Sequence, residues 1–165
     1  MTQTAEAQAI ALAEAEGEIL WFLGTLVTIK VSGDQSHGRT AILEHLAPKG
    51  AGSPLHVHAR EDEWFYVLEG ELAFWVGGKR IQAKAGAFVY GPRGIPHTFV
   101  VVSEQARFLL GVEPAGFDDF VRAVGQPAAT PTLPPAGGPP PDPARLAGIA
   151  AQYGIEVLGP PGIPD

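Results

Sequence analysis

The sequence predicts an all-β domain of many short strands, arranged as a sandwich, a jelly roll or a small barrel. Its 165 residues suit one domain with short extensions. The 21 glycines and 16 prolines disfavour long helices, because both residue types destabilise helix interiors. Hydrophobic residues make up 45% of the chain, and many of them fall into short β-branched and aromatic runs between turn residues, which is typical of strands.

The order of these runs divides the chain into three regions. We predict an N-terminal helical or disordered arm over residues 1–18, a β-barrel over 19–114 and a C-terminal helical, proline-rich extension over 115–165. Strong helix formers at 4–16 favour a short surface helix or a frayed arm. The apolar segment 20–31 is either one strand with a bulge at Gly24 or a bent pair of strands.

The remaining strands are separated by turn signals such as Gly33-Asp34, Glu69-Gly70 and Gly77-Gly78. A glycine-rich loop at 48–54 precedes the most polar part of the barrel. The segments predicted as strands after residue 31 are 40–46, 63–68, 71–76, 80–83, 88–90, 97–102 and 107–112.

The extension has helical spacing of its apolar residues over 117–124, followed by a proline-rich connector. Asp142 is a candidate N-cap with Pro143 at the first helical position, which predicts a second helix up to about Tyr153. The apolar tail at 155–158 is expected to dock on the rest of the chain. The extension could be a lid over the barrel, a dimer brace or simple packing, and the sequence leaves these alternatives open.

Charge and composition exclude several classes of partner and site. A formal net charge of −7 disfavours nucleic acid and anionic membranes, because both repel an acidic protein. The chain has no cysteine, which excludes disulfides, thiolate metal sites and cysteine nucleophiles. The N-terminus lacks a basic segment, and the longest apolar run, 19–31, is too short to cross a bilayer. We therefore expect a cytoplasmic protein.

Three of the five histidines occur at informative positions in the β region. His56 and His58 are two residues apart, so in a strand both side chains leave on the same face. Glu63 begins the next run, and His97 follows a turn at the start of another. Three imidazoles and one carboxylate suit Fe, Ni, Mn, Co or Zn, and an octahedral ion would keep two positions for other ligands.

The spacing around these four residues resembles the two sequence motifs of the cupin superfamily. In the first, the matching residues are Gly50, His56, His58, Glu63 and Gly70. In the second, they are Gly86, Pro92, Gly94 and His97. One position departs from the second motif, because the asparagine usual four residues after the histidine is replaced by Val101. That asparagine is not a metal ligand in the family, so the metal prediction is unaffected.

The resemblance implies a cupin double-stranded β-helix, which is a jelly-roll barrel, with one metal ion inside it. It implies that His56, His58, Glu63 and His97 hold the ion and that Glu63 can also act as a catalytic base on a substrate hydroxyl. The run 61–70 and parts of the extension look like the single-domain, quercetin 2,3-dioxygenase-like branch.

Neighbouring aromatic and apolar residues divide between the barrel interior and its outer face. Phe65 and Phe99 are candidate walls of a substrate pocket, and Val101 would make its lining more apolar. By strand alternation Trp64 and Tyr66 face outward, and outward aromatics need a cover, either the terminal arms or a second subunit. We expect that cover to be the second subunit of a homodimer.

The other charged and imidazole side chains near these motifs are interpreted as lying outside the metal site. Glu61 and Asp62 are interpreted as solvated charges of an acidic turn. Arg93 and Lys84 are interpreted as ordinary surface cations, with contact to an anionic substrate as the alternative. His37 lies in a polar loop and should be exposed, whereas His45 is interpreted as a surface or rim residue of its strand.

These observations support one leading hypothesis and two alternatives. The leading hypothesis is a metal-dependent dioxygenase that cleaves an aromatic, flavonol-like small molecule bound through adjacent oxygens. The first alternative is a non-oxidative metal-dependent enzyme, namely an isomerase, lyase or polyketide cyclase. The second is a non-enzymatic cupin that binds a small molecule. Fold alone does not decide among them.

Overall fold

The computed structural model describes residues 8–165, so part of the predicted N-terminal arm lies outside the described residues. Residues 8–17 form neither a helix nor a strand. Because a short helix in water needs an apolar face packed on the protein, helix-forming composition alone does not stabilise one here. The described part of the arm is an exposed segment with a turn at 13–16, and it contacts the barrel surface where Lys30 Nζ donates to the Glu14 carbonyl at 2.9 Å.

The described residues form twelve strands and two helices. The strands are β1 (Glu18–Phe22), β2 (Thr25–Val31), β3 (Ala41–Pro48), β4 (Pro54–His58), β5 (Asp62–Glu69), β6 (Glu71–Val76), β7 (Lys79–Lys84), β8 (Phe88–Gly91), β9 (His97–Val101), β10 (Gln105–Glu113), β11 (Gln126–Pro127) and β12 (Ile155–Pro161). The helices are α1 (Phe117–Val124) and α2 (Pro143–Gln152). Neither helix has the length or the apolar character needed to span a bilayer.

Two antiparallel sheets face each other and enclose the core. The larger sheet has the strand order β11-β1-β2-β3-β10-β5-β8, and the smaller sheet has the order β12-β4-β9-β6-β7. Successive strands alternate between the two sheets in places, which is the topology of a jelly roll. The all-β prediction is therefore confirmed.

The segment predicted as one strand or a bent pair is a tight hairpin. Glu18 lies opposite Ile29 and Phe22 lies opposite Thr25, so two residues connect β1 to β2. Both connecting residues have positive φ, 48° at Leu23 and 80° at Gly24. This is the geometry of a type I′ turn, whose twist matches that of the strands. Gly24 therefore lies in a hairpin turn, and the alternative of a bulge within one strand is wrong.

The core lies between the inward faces of the two sheets. Buried and less buried residues alternate along β3 and β5, as expected for strands with one face inside. Phe65 is the centre of an aromatic cluster, with its ring centroid 4.9 Å from Phe74 and 6.3 Å from Phe108. Each such side chain contributes about 1.5–3 kcal/mol by burial, so this cluster is a main source of stability.

The outer face of β5 and β8 carries exposed aromatic side chains. Tyr66, Phe88 and Tyr90 are 40%, 60% and 50% exposed. Trp64 is half-buried because its ring stacks on Phe88 and packs closely against Gly111. The outward direction predicted for Trp64 and Tyr66 is confirmed, and the homodimer expected to cover them stays a prediction.

The C-terminal extension closes one end of the barrel. Helix α2 begins as predicted, with the Ala144 amide donating to Asp142 Oδ1 at 3.0 Å. In α1, Phe117 and Phe120 pack edge-on against Phe22 of β1, at centroid distances of 6.3 and 5.8 Å. Strand β12 then pairs with β4, so that Ile155 lies opposite His58. The extension is thus part of the barrel end that contains the histidines.

Candidate metal centre

Three strands from the two facing sheets place the predicted ligand residues on the inward side of the barrel. His56 and His58 lie on the same, buried face of β4, and His97 lies directly opposite His56 on β9. Glu63 projects from β5 of the facing sheet. The four residues are all buried, and each offers one ligand atom within 4.8 Å of the others. The structure therefore brings the four predicted residues together into one cluster that could bind a metal ion.

The carboxylate of Glu63 lies between two of the imidazoles. Its Oε2 is 2.6 Å from His97 Nε2 and 3.4 Å from His58 Nε2. The shorter contact is a charge-assisted hydrogen bond, which requires a proton on that ring nitrogen. A divalent cation in the cluster would replace this shared proton, because metal ligands bind in their deprotonated forms.

The outer nitrogens of the three imidazoles are all held by the protein. Nδ1 of His56 lies 2.7 Å from the Pro54 carbonyl, and Nδ1 of His97 lies 3.0 Å from the Ile95 carbonyl. Both carbonyls accept a hydrogen bond from Nδ1, so a metal ion would bind at Nε2 and would displace any proton held there. Nε2 of His58 is buried without a good hydrogen bond in this arrangement. These observations fit a divalent ion held by three Nε2 atoms and a carboxylate.

Burial and charge act in opposite directions on the cluster. Burial would raise the pKa of Glu63, but the charge of the nearby His58 and the hydrogen bond from His97 hold it well below its usual range. Burial would lower the pKa of His58, but Glu63 and Glu61 outweigh it and raise that pKa. Burial and the neighbouring His97 lower the pKa of His56 to about 3. Glu63 is thus ionised, and its carboxylate offers a negatively charged ligand oxygen to a cation.

Glu61 has a role that the sequence reasoning missed. We interpreted it as a solvated charge, but only 3% of it is exposed, and its Oε2 accepts from His58 Nδ1 at 2.8 Å. The tight turn between β4 and β5 folds this carboxylate back onto the imidazole three residues earlier. The His-x-x-Glu spacing was the available signal. Glu61 orients His58 and increases its basicity, as carboxylates behind metal-binding histidines do.

We predict that Glu61→Gln lowers the affinity of the protein for divalent metal by about 10- to 100-fold, because the amide supports His58 less well than a carboxylate does. Titration of the metal-stripped protein with Ni²⁺ in a calorimeter measures this change. Glu69→Gln, on the exposed end of β5, is the matched control. Equal affinities of the Glu61 variant and the unmodified protein would show that Glu61 does not support the site.

Asp62 and Arg93 form a pair at the surface instead of facing the cavity. The Arg93 guanidinium donates to both carboxylate oxygens of Asp62, at 3.2 and 2.9 Å, and the Arg93 amide donates to Asp62 Oδ1 at 2.9 Å. These hydrogen bonds lower the pKa of Asp62 to about 2. The pair joins the start of β5 to the turn before β9, and the Gly94 amide also donates to the His58 carbonyl at 2.8 Å. Together these contacts position His97.

A small cavity of about 70 Å³ adjoins the cluster. Among the predicted pocket residues, Phe99 lines this cavity, whereas Phe65 and Val101 are 2% exposed and lie in the core. The extension supplies much of the remaining wall. The cavity-lining residues of the extension are Phe117, Phe120, Leu146, Ala150, Ile155 and Val157.

His45 also lines this cavity, so its interpretation as a surface or rim residue is wrong. It is 4% exposed, and its ring stacks on Phe108 at a centroid distance of 5.0 Å. Strand alternation places it between Leu43 and Ala47 on the buried face of β3, which was the available signal. His37 is exposed, as predicted, in the loop before β3.

Residues 42–112 match the cupin domain family. Quercetin 2,3-dioxygenase of Bacillus subtilis is 28% identical over 116 residues, a match that covers 70% of this chain and 34% of that protein. The chain thus spans about a third of that relative's length. Both observations concern the part of the chain that contains the histidine cluster.

Solved structures show the same fold at lower sequence similarity. An RmlC-like cupin from Shewanella frigidimarina has a TM-score of 0.57 and 20% identity, covering 69% of this chain and 99% of that chain. A predicted oxalate decarboxylase from Thermotoga maritima has a TM-score of 0.56 and 23% identity, covering 65% and 99%. The chain therefore has the jelly-roll fold of these structures, matches the cupin domain family over residues 42–112, and is similar to a quercetin 2,3-dioxygenase.

Proposed function

We propose that the protein is a metal-dependent dioxygenase that cleaves an aromatic, flavonol-like small molecule. The observation that carries this proposal is the buried cluster of three imidazoles and one carboxylate at the side of an apolar cavity. A redox-active divalent ion held by that cluster would supply the activation of dioxygen and the stabilisation of an ionised substrate. The similarity to a quercetin 2,3-dioxygenase supports the same reaction class.

Glu63 and the aromatic walls have separate roles in this proposal. Glu63 is ionised and borders the cavity, so its carboxylate can accept the proton of a substrate hydroxyl. Phe99 and Phe117 offer ring faces and edges against which an aromatic substrate can pack. A substrate that fills this largely apolar cavity would displace water from it and so strengthen the attraction between Glu63 and the hydroxyl proton.

The volume of the cavity requires the extension to move for a large substrate. A cavity of about 70 Å³ is well below the roughly 300–1,000 Å³ of pockets that hold drug-sized ligands. Helices α1 and α2 both contribute side chains to the cavity wall, and the proline-rich segment 128–142 connects them. We therefore propose that the extension acts as a lid that opens to admit a flavonol-sized molecule and closes behind it.

The same small volume favours a second candidate function. A non-oxidative metal-dependent reaction, such as an isomerisation, lyase reaction or cyclisation, on a smaller molecule would not need the extension to move. Metal would then act as a Lewis acid only, and the Glu63 carboxylate would still accept a substrate proton.

Metal analysis followed by oxygen uptake tests the proposal. Protein purified without chelators is expected to contain close to one equivalent of transition metal by inductively coupled plasma mass spectrometry. Metal-stripped protein reloaded with Fe²⁺, Ni²⁺, Mn²⁺ or Co²⁺ should consume oxygen when quercetin, 3-hydroxyflavone or catechol is added. Protein loaded with redox-inert Zn²⁺ is the control and should consume none.

The possible outcomes separate the candidate functions. Bound metal without oxygen uptake on any of these compounds would contradict the dioxygenase proposal and favour the non-oxidative reaction. Failure to retain or take up metal would contradict both enzymatic candidates and favour a non-enzymatic binding protein.

A further inference from the structure

His45 is a buried polar residue in the cavity that the proposed reaction does not use. It lies on β3 with Val27 of β2 on one side and Phe108 of β10 on the other. The His45 and Phe108 rings are nearly parallel, with an interplanar angle of 13°. His45 Nε2 is buried and has no hydrogen-bond partner among the described residues.

Leaving this nitrogen unpaired is costly. A buried polar atom without a partner destabilises a protein by about 1–3 kcal/mol, and nearly all such atoms in folded proteins find one. A phenylalanine would fill the same space beside Phe108 without this cost. Burial lowers the pKa of His45 to about 4, so at neutral pH the ring is uncharged and offers one donor and one acceptor.

The other polar side chains that line the cavity have protein partners. The Thr25 hydroxyl donates to the Phe22 carbonyl at 2.7 Å, and Ser53 Oγ lies 3.3 Å from Thr98 Oγ1. His56 and Glu63 are held within the metal cluster. Among the described cavity-lining side chains outside the metal cluster, His45 is therefore the one with a buried and unpartnered ring nitrogen.

We propose that His45 is a substrate-binding residue, whose unpartnered ring nitrogen forms a hydrogen bond with an oxygen of the bound molecule. This inference rests on the proposed function, because it assumes that the substrate enters this cavity beside the metal cluster. It narrows the substrate class to compounds with an apolar, ring-sized body, adjacent oxygens for the metal, and one further hydroxyl or carbonyl oxygen. Such an oxygen would supply the hydrogen bond that the protein itself does not provide.

Binding without turnover tests this role separately from the proposed reaction. The protein is loaded with Zn²⁺ and titrated with quercetin and 3-hydroxyflavone under nitrogen, with tryptophan fluorescence as the readout. His45→Phe should bind quercetin about tenfold more weakly, which corresponds to the loss of one hydrogen bond. His45→Gln keeps a hydrogen-bonding group at similar reach and should recover most of the affinity.

Two controls distinguish substrate binding from a structural role. The metal content and melting temperature of His45→Phe should equal or exceed those of the unmodified protein, because an unpaired polar atom is removed. His37→Asn, at the exposed histidine with φ of 55°, should change neither the quercetin affinity nor the melting temperature.

A direct readout of the contact is the nuclear magnetic resonance signal of the ring. In protein labelled with ¹⁵N-histidine, the ring nitrogen signal of His45 should move on addition of quercetin.

Equal quercetin affinity of His45→Phe and the unmodified protein would overturn the inference, as would an unchanged His45 nitrogen signal. Failure of the unmodified Zn²⁺ protein to bind either compound would also overturn it. If the compounds bind through His45 but the redox-active forms consume no oxygen, the inference stands and the dioxygenase proposal fails.

Discussion

Replacing His58 with alanine is expected to lower the affinity for divalent metal by more than about 100-fold. This loss is larger than the one expected for Glu61→Gln, which changes only the hydrogen-bond partner of His58. His58 supplies a ligand atom and also separates two buried carboxylates, Glu61 and Glu63. Removing the imidazole leaves both carboxylates without its positive partner, and breaking a buried ion pair costs about 3–5 kcal/mol. Metal analysis of the purified variant and Ni²⁺ calorimetry measure the first effect.

Loss of metal must be separated from loss of the fold. Val57→Ala changes the same strand on its other face, where the side chain is half-buried, and should keep its metal. Circular dichroism of both variants shows whether the barrel forms. A folded His58→Ala protein that still contains close to one equivalent of metal would contradict the assignment of the cluster as the metal site.

Gly70→Ala is expected to destabilise the folded protein by about 2–4 kcal/mol, through a strained backbone and a steric clash. Gly70 joins β5 to β6 with φ of 81°, a conformation that side chains disfavour. An added methyl group would collide with the Gln105 carbonyl and with Ser103 Oγ in the loop between β9 and β10. Denaturation by urea measures the free energy of unfolding.

Gly50→Ala is the matched control for this prediction. Gly50 has almost the same φ, 80°, but nothing lies within 4 Å of an added methyl group. It should therefore cost only about 1 kcal/mol, from the backbone conformation alone. Equal losses in the two variants would show that the packing around Gly70 relaxes and that the clash contributes nothing.

The ligand residues were predictable because their placement is local. Two histidines separated by a single residue must share a face of any strand, and a short turn then brings Glu63 to the next strand. Capping by Asp142 is local as well, because an aspartate followed by proline at the first helical position starts a helix in most contexts. Such features need no knowledge of the distant chain.

The residues that were misread depend on distant contacts. His45 is buried because β10 pairs with β3 and places Phe108 against its ring, a register that the sequence of β3 alone does not contain. Glu61 is buried because the start of α1 covers it, where Gly116 lies close to its carboxylate. Strand alternation at His45 and the His-x-x-Glu spacing at Glu61 are local signals, but neither identifies the distant residue, Phe108 or Gly116, that covers the side chain. Local pattern therefore predicted the metal ligands and missed the groups around them.

The pairing of β12 with β4 has a consequence for the order in which the protein is made. All four residues of the metal cluster precede residue 98, whereas the strand that completes the edge of β4 is Ile155–Pro161. Because a nascent chain emerges from its N-terminus, the histidines leave the ribosome well before the strand and helices that enclose them. During synthesis the cluster is therefore open to metal ions before the extension closes over it.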